Sequence, residues 1–248
     1  GVNGQNEMAA AFILAGFEAS DIHMQDVLDN PSLLEEFQGL AACGGFSYGD
    51  VLGAGGGWSS SIRYNNGVRD AFEHFFNRDE TFTFGVCNGC QMLSNIKDLI
   101  PGAENWPEFL WNESDQFEAR LSQVTIAQSK SVLLDGMEGW QIPVAVAHGE
   151  GRASFAENAL KLLSEQHQIA VQFTDNKGVV ASSYPLNPNG SPEGITGLTS
   201  TDGRATIMMP HPERVFRSQQ MSWKSPKWKE YSPWMQIFIN AYKFSQES

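Results

Sequence analysis

The stretch Gly85-Val86-Cys87-Asn88-Gly89-Cys90-Gln91 holds residues whose types and spacing could do chemistry. A run of β-branched and aromatic residues, Thr81-Phe82-Thr83-Phe84-Gly85-Val86, leads straight into Cys87, and a helix-like run, Gln91-Met92-Leu93-Ser94-Asn95-Ile96, follows. A cysteine at a strand-to-helix turn between small residues has the layout of a nucleophile elbow. The turn is sharp, so its flanks must be small: Gly85 lies two residues before the sulfur and Gly89 two after it. A helix starting there aims its N–H groups and dipole at the sulfur, which favours the thiolate. The same N–H groups can hold the oxyanion formed when sulfur attacks a carbonyl. Such a turn predicts a strained Cys87 with φ above zero.

A nucleophile of this kind works with a base. The chain has five histidines: His23, His74, His148, His167 and His211. Ala205-Thr206-Ile207-Met208-Met209 reads as a buried strand, and Pro210-His211-Pro212-Glu213 follows it. The flanking prolines fix φ and stiffen the backbone around His211. Residues two apart in an extended chain share a side, so Glu213 can reach and orient the His211 ring. Cys87, His211 and Glu213 then make nucleophile, base and orienter. His148-Gly149-Glu150 has the same ring-to-carboxylate spacing, so on the residues alone His148 is a rival base. Its plainer reading is a strand-end histidine hydrogen-bonded to backbone. His23, His74 and His167 fall in helical or surface contexts and read as solvated.

These groups need a scaffold. Residues 6–18 read as an amphipathic helix ended near Gly16, and 31–37 as a short second helix. Residues 39–43 read as a short buried strand. It runs into a glycine-rich loop, Gly44-Gly45-Phe46-Ser47-Tyr48-Gly49-Asp50, continuing to Gly57. Residues 69–76 look helical before the elbow strand. This alternation predicts an α/β class fold with a mainly parallel sheet flanked by helices, flavodoxin-like in outline. Sites in such sheets lie at the C-terminal strand ends, where Cys43-Gly44-Gly45 and Val86-Cys87 would meet. After Pro107 the texture changes. Residues 117–127 and 142–147 are β-like, 154–166 helical, 168–174 a strand, 187–194 a turn cluster and 234–244 a closing helix. No repeat, low-complexity segment or linker interrupts the chain, so residues 1–248 read as one domain.

At 248 residues the chain can bury a full core. Its net charge of −13, without a basic cluster, argues against nucleic acid or an anionic membrane surface as partner. No apolar run is long enough to span a bilayer, and no signal-peptide pattern is present. Three cysteines, Cys43, Cys87 and Cys90, give no disulfide framework and fit a reducing cytoplasm.

Gly-Val-Cys-Asn-Gly-Cys-Gln with Pro-His-Pro-Glu downstream resembles the class I (triad) glutamine amidotransferases. The glycine-rich loop, His148-Gly149-Glu150-Gly151 and Met208-Met209-Pro210-His211-Pro212-Glu213-Arg214 narrow the likeness. They are similar to the glutaminase domains of the phosphoribosylformylglycinamidine synthases of purine biosynthesis, as is the starting run Gly1-Val2-Asn3-Gly4-Gln5-Asn6-Glu7. The resemblance covers essentially the whole chain. It implies that Cys87 attacks the side-chain amide of L-glutamine, that His211 moves the protons and that Glu213 holds His211. This selects His211 over His148. It implies an oxyanion hole from the backbone N–H of Asn88 and one of Gly45 or Phe46, with Gln91 helping to hold the substrate. No cofactor or metal is expected in this domain. Ammonia is expected to pass to a synthetase domain of the same longer polypeptide. That domain would use ATP and Mg²⁺ to activate formylglycinamide ribonucleotide. The closing segment with Trp223, Trp228 and Trp234 resembles the form that ends a very long polypeptide, and reads as packing or as a contact with the larger enzyme. The apolar strand that normally opens the domain is absent, so the sheet is expected to lack a member. No Gly-x-x-x-x-Gly-Lys-Ser/Thr run is present, so the synthetase chemistry is expected elsewhere.

Two other readings stand beside this one. A related cysteine amidohydrolase acting alone would share the triad. Cys87-Asn88-Gly89-Cys90 is also a C-x-x-C, which fits a redox pair or half a zinc site. Neither reading of C-x-x-C accounts for Pro-His-Pro-Glu or the glycine-rich loop.

Overall fold

Three short apolar strands in parallel register set the site, and the rest of the chain is arranged around them. The computed structural model describes residues 2–47 and 53–247; Tyr48, Gly49 and Asp50 of the glycine-rich loop lie outside the described residues. Helix α1 (Gln5–Ala15) ends at Gly16, whose φ of 117° lets its N–H turn back to the Ile13 carbonyl. A short α2 (Met24–Asp29) is started by the His23 side chain, which accepts from Gln25 N–H. A 3₁₀ turn, Pro31–Glu36, leads to β1 (Gly39–Ala42). Helices α3 (Gly56–Arg63) and α4 (Asn66–Asn77) follow. Asn65 caps α4 by accepting from Val68 N–H, and Val68, Phe72, Phe75 and Phe76 form its buried stripe. Then come β2 (Phe82–Val86) and α5 (Asn88–Asn95), joined by Cys87 alone.

The second half supplies β3 (Glu108–Leu110), β4 (Glu118–Ile126), β5 (Gln141–His148), β6 (Arg152–Ser154), α6 (Ala159–Glu165), β7 (Ile169–Phe173), β8 (Ile195–Thr199), β9 (Ala205–Met208) and α7 (Met235–Glu247). The main sheet has the order β1-β2-β9-β8-β7-β4-β5, and β3 pairs with β6 separately. The α/β class is as expected, and the sheet is mixed. β1, β2 and β9 run parallel, while every pairing from β9 to β5 is antiparallel. The reason lies in the connections. Residues 200–204 join β8 to β9, which is too short for the crossover a parallel pair needs. An isolated bridge between Ala145 and His211 curls the antiparallel half back toward the end of β9.

The predicted helix over 154–166 is shorter than its pattern. Ser154 finishes β6, and Asn158 at φ 65° starts α6. Inside, Phe84, Val86, Ile207 and Met208 are fully buried, and Phe12, Phe82, Phe84 and Phe238 pack with ring centroids 5.0–6.3 Å apart. Truncating such a phenylalanine costs about 3–5 kcal/mol, so the strands that carry the site are firmly anchored. Among the described residues no helix is long and apolar enough to cross a membrane.

Candidate active site

Parallel register brings the site together. Ala42 pairs with Gly85, and Val86 with Met208, so β1, β2 and β9 end on one line. Gly44, Cys87 and His211 leave those ends as neighbours. Cys87 sits at φ 52° and ψ −110°, a conformation L-residues rarely adopt. Backbone bonds over-determine it: Cys87 N–H donates to Met208 O at 3.0 Å, and Gln91 N–H to Cys87 O at 3.0 Å. The small flanks are required. A Cβ on Gly89 would lie 2.0 Å from the Ala42 carbonyl oxygen, and one on Gly85 2.5 Å from Leu93 Cδ1. The Cys87 thiol faces the Ala147 carbonyl at 3.7 Å.

His211 Nδ1 is 2.6 Å from Glu213 Oε1, and both side chains are almost wholly buried. The backbone of His211 is fixed by its N–H, which donates to Ala145 O at 2.8 Å. Burial pushes the His211 pKa down. The Glu213 charge and hydrogen bonding with Cys87 and Glu213 outweigh it, and the ring is held up at about 10. Its other nitrogen, Nε2, is buried without a bond of good geometry within the chain. Both His211 and Cys87 flank one backbone position: a Cβ on Gly44 would sit 2.6 Å from His211 Cε1 and 3.1 Å from Cys87 Cβ.

The ring-to-carboxylate pairing forms at 211–213 and not at 148–150. His148 is buried, and its Nδ1 is 3.2 Å from Asn112 Oδ1. Asn112 Nδ2 donates to the carbonyls of Gln116 and His148, and Oδ1 accepts from Gly151 N–H. That fixes the amide orientation, so His148 Nδ1 is the donor. Burial, and then the charge of nearby His211, push the His148 pKa down to about 3. Glu150 turns away from His148: its Oε2 accepts from Ala54 N–H at 3.1 Å.

The remaining predicted site residues fall around Cys87. Asn88 is buried, and its Oδ1 accepts from Ser47 Oγ at 3.1 Å. Gly45, at φ 108°, packs against Asn3. The Phe46 side chain is 64% exposed, so only its backbone could serve the thiol. Gln91 is buried with Nε2 donating to the Glu150 carbonyl. Cys90 is fully buried, and burial, aided by Cys87, pushes its pKa well up. Burial likewise raises Cys43, to about 12. Gly44, Ser47 and Asn112 were not singled out by sequence. Only the glycine-rich pattern pointed to Gly44 and Ser47, and nothing pointed to Asn112.

The fold is shared with solved structures of low sequence identity. PurLQS from Thermotoga maritima superposes with a TM-score of 0.68 at 22% identity, over 100% of this chain and 93% of that one. The glutaminase domain of Trypanosoma brucei CTPS, with bound acivicin, gives 0.55 at 11% identity, over 98% of this chain and 88% of that one. Residues 1–245 match one family throughout, and the chain belongs to it: the CobB/CobQ-like glutamine amidotransferase domains.

Proposed function

We propose that this chain hydrolyses L-glutamine through Cys87, His211 and Glu213. The Cys87 sulfur attacks the side-chain carbonyl carbon, and the oxyanion is met by the Asn88 N–H with a second donor from Gly45 or Phe46. His211 gives its proton to the leaving nitrogen, and ammonia departs, leaving a glutamyl thioester. Water then adds to the thioester, His211 takes its proton, and the sulfur departs as thiolate, which frees glutamate and leaves His211 charged again for the next turnover. Glu213 holds the ring through Nδ1 and stabilises its charged form. The observation that carries this reading is the pairing of a strained, elbow-mounted Cys87 with the buried 2.6 Å His211–Glu213 contact.

Ammonia would pass to an ATP- and Mg²⁺-dependent synthetase that converts formylglycinamide ribonucleotide to formylglycinamidine ribonucleotide, in the cytoplasm. Supporting this finer assignment are the glycine-rich loop, the His-Gly-Glu-Gly segment and the fold shared with PurLQS of Thermotoga maritima. A redox role for Cys87-Asn88-Gly89-Cys90 is disfavoured by the full burial of Cys90 and its raised pKa.

Treatment with a glutamine-mimicking diazoketone, followed by peptide mapping, tests the reading. Cys87 is expected to be the one labelled cysteine, with glutamine protecting it. Label on Cys90 or Cys43, or none on Cys87, would overturn the assignment.

A further inference from the structure

His148-Gly149-Glu150-Gly151 has a shape that the triad does not account for. The turn is built rigidly. The Asn112 amide fills it with bonds to His148 O and Gly151 N–H, and Asn112 N–H donates to Gly149 O at 2.8 Å. Asn189 Nδ2 holds Gly151 O at 2.8 Å from the other side. The His148 ring lies against Gly151 so closely that a Cβ there would be 2.2 Å from Cε1. A half-buried carboxylate, Glu150, projects from this frame.

Glu150 has two arms. Its side chain accepts from Ala54 N–H at 3.1 Å, and its main-chain oxygen accepts from Gln91 Nε2. Gly55, next to the first target, packs against the second. A Cβ on Gly55 would lie 2.6 Å from Met92 N and 3.0 Å from Gln91 Cβ, so the turn at 53–55 is seated on the first turn of α5. Glu150, Ala54 and Gln91 thus close a triangle over the helix that starts at the nucleophile. A charge-assisted bond to a backbone N–H is stronger than a neutral one, so the carboxylate arm is the one that holds the turn down.

We infer that Glu150 is a positioning residue: it clamps the 53–55 turn and the Gln91 side chain in place beside Cys87, and so sets how well glutamine is held. This rests on the glutaminase reading. Among the described residues no hydrogen bond or ion pair joins Glu150 to Cys87, His211 or Glu213, so its loss should weaken substrate capture and spare the reactivity of the thiol.

Two variants of the whole chain separate the contributions: Glu150→Ala removes the acceptor, and Glu150→Gln keeps an oxygen for Ala54 N–H. With Glu150→Ala, the half-saturating diazoketone concentration should rise about tenfold or more, the scale of one lost charge-assisted hydrogen bond. Alkylation of Cys87 by iodoacetamide, which needs no substrate contacts, should stay within about twofold on the same reasoning. Hydrogen exchange at the Ala54 amide should speed up by about tenfold or more as its acceptor is lost. Glu150→Gln should restore all three readings to within about threefold, because a neutral acceptor keeps about half of a charge-assisted bond. Unchanged half-saturation or exchange in Glu150→Ala would overturn the clamp. So would a parallel loss of iodoacetamide labelling, which would mean a damaged elbow, or a Glu150→Gln as impaired as the alanine. If the unmodified chain takes no diazoketone, the glutaminase reading fails, while exchange at Ala54 still decides whether Glu150 holds the turn.

Discussion

His211 and His148 are close neighbours in one site, yet their surroundings drive them to opposite charge states. Glu213 and Cys87 keep His211 protonated to about pH 10, while burial and His211 itself keep His148 neutral down to about pH 3. Each has a reference pKa of 6.5 in the unfolded chain. The His211 contribution to stability is therefore complete below pH 6.5 and lost as pH climbs through about 10. For His148 the unfolded chain binds the extra proton, so its contribution is complete above pH 6.5 and lost as pH falls toward about 3. Urea unfolding of His148→Gln across this range should show a shallower acid limb, by on the order of a few kcal/mol. An acid limb identical to that of the unmodified chain would show that His148 is not buried neutral. Gly44 permits the approach of His211 and Cys87. In Gly44→Ala the new methyl displaces the ring, and a misplacement of about 1 Å costs about 10²-fold in rate. Glutamine turnover should fall on that scale, with an overpacking cost of about 1–3 kcal/mol in stability; unchanged turnover would mean the ring is not packed on Gly44. Of these residues, the chain announces Cys87, because a sharp turn needs small flanks; a ring with a carboxylate two places on occurs at both 148–150 and 211–213, and the family resemblance, with the flanking prolines, selected His211 and Glu213. Asn112 and Ser47 stay silent. Their partners, His148 and Asn88, lie 36 and 41 residues away, and only the folded register makes the contact.

Elements were legible where pattern and environment agree. The α4 stripe, the β2 run and the Gly16 stop all follow local rules. β8 did not stand out. It is buried on both faces and so lacks alternation, and Gly197 sits at its centre against the Val171 side chain. Helix α3 was hidden by two glycines and three serines among its eight residues, a composition that local propensity disfavours. The mixed sheet escaped for a related reason. Strand direction depends on connection length, and with β8 unseen the short 200–204 link could not be counted. The contact between α5 and β1 is the element-level feature that fixes the elbow, since Gly89 lets the helix start press on the Ala42 carbonyl. Gly89→Ala should push the two apart and cost at least about 1–3 kcal/mol, the usual range for overpacking. Diazoketone labelling of Cys87 should be lost with it. A stable Gly89→Ala chain that labels normally would show that the elbow tolerates a wider turn.

Across the whole molecule, the proposed triad is supplied by the residues that follow β2 and β9, and the sequence has no Gly-x-x-x-x-Gly-Lys-Ser/Thr run. This division of labour makes a prediction for the synthase proposed to carry the chain. When Cys87 is changed to Ala within that synthase, glutamine-dependent product formation should fall by about 10³–10⁶, because a covalent nucleophile is gone. The same variant given ammonium salt should still form product, since free ammonia bypasses the one step proposed for Cys87. Cys87 is a small residue held in place by backbone bonds to Met208 and Gln91, so alanine should leave the fold standing, at some cost from its φ of 52°. Far-ultraviolet circular dichroism and the thermal midpoint check that point. Loss of the ammonia-driven reaction in a folded variant would give Cys87 a role beyond glutamine hydrolysis. Retention of the glutamine-driven reaction would place the nucleophile elsewhere and remove the basis of the triad.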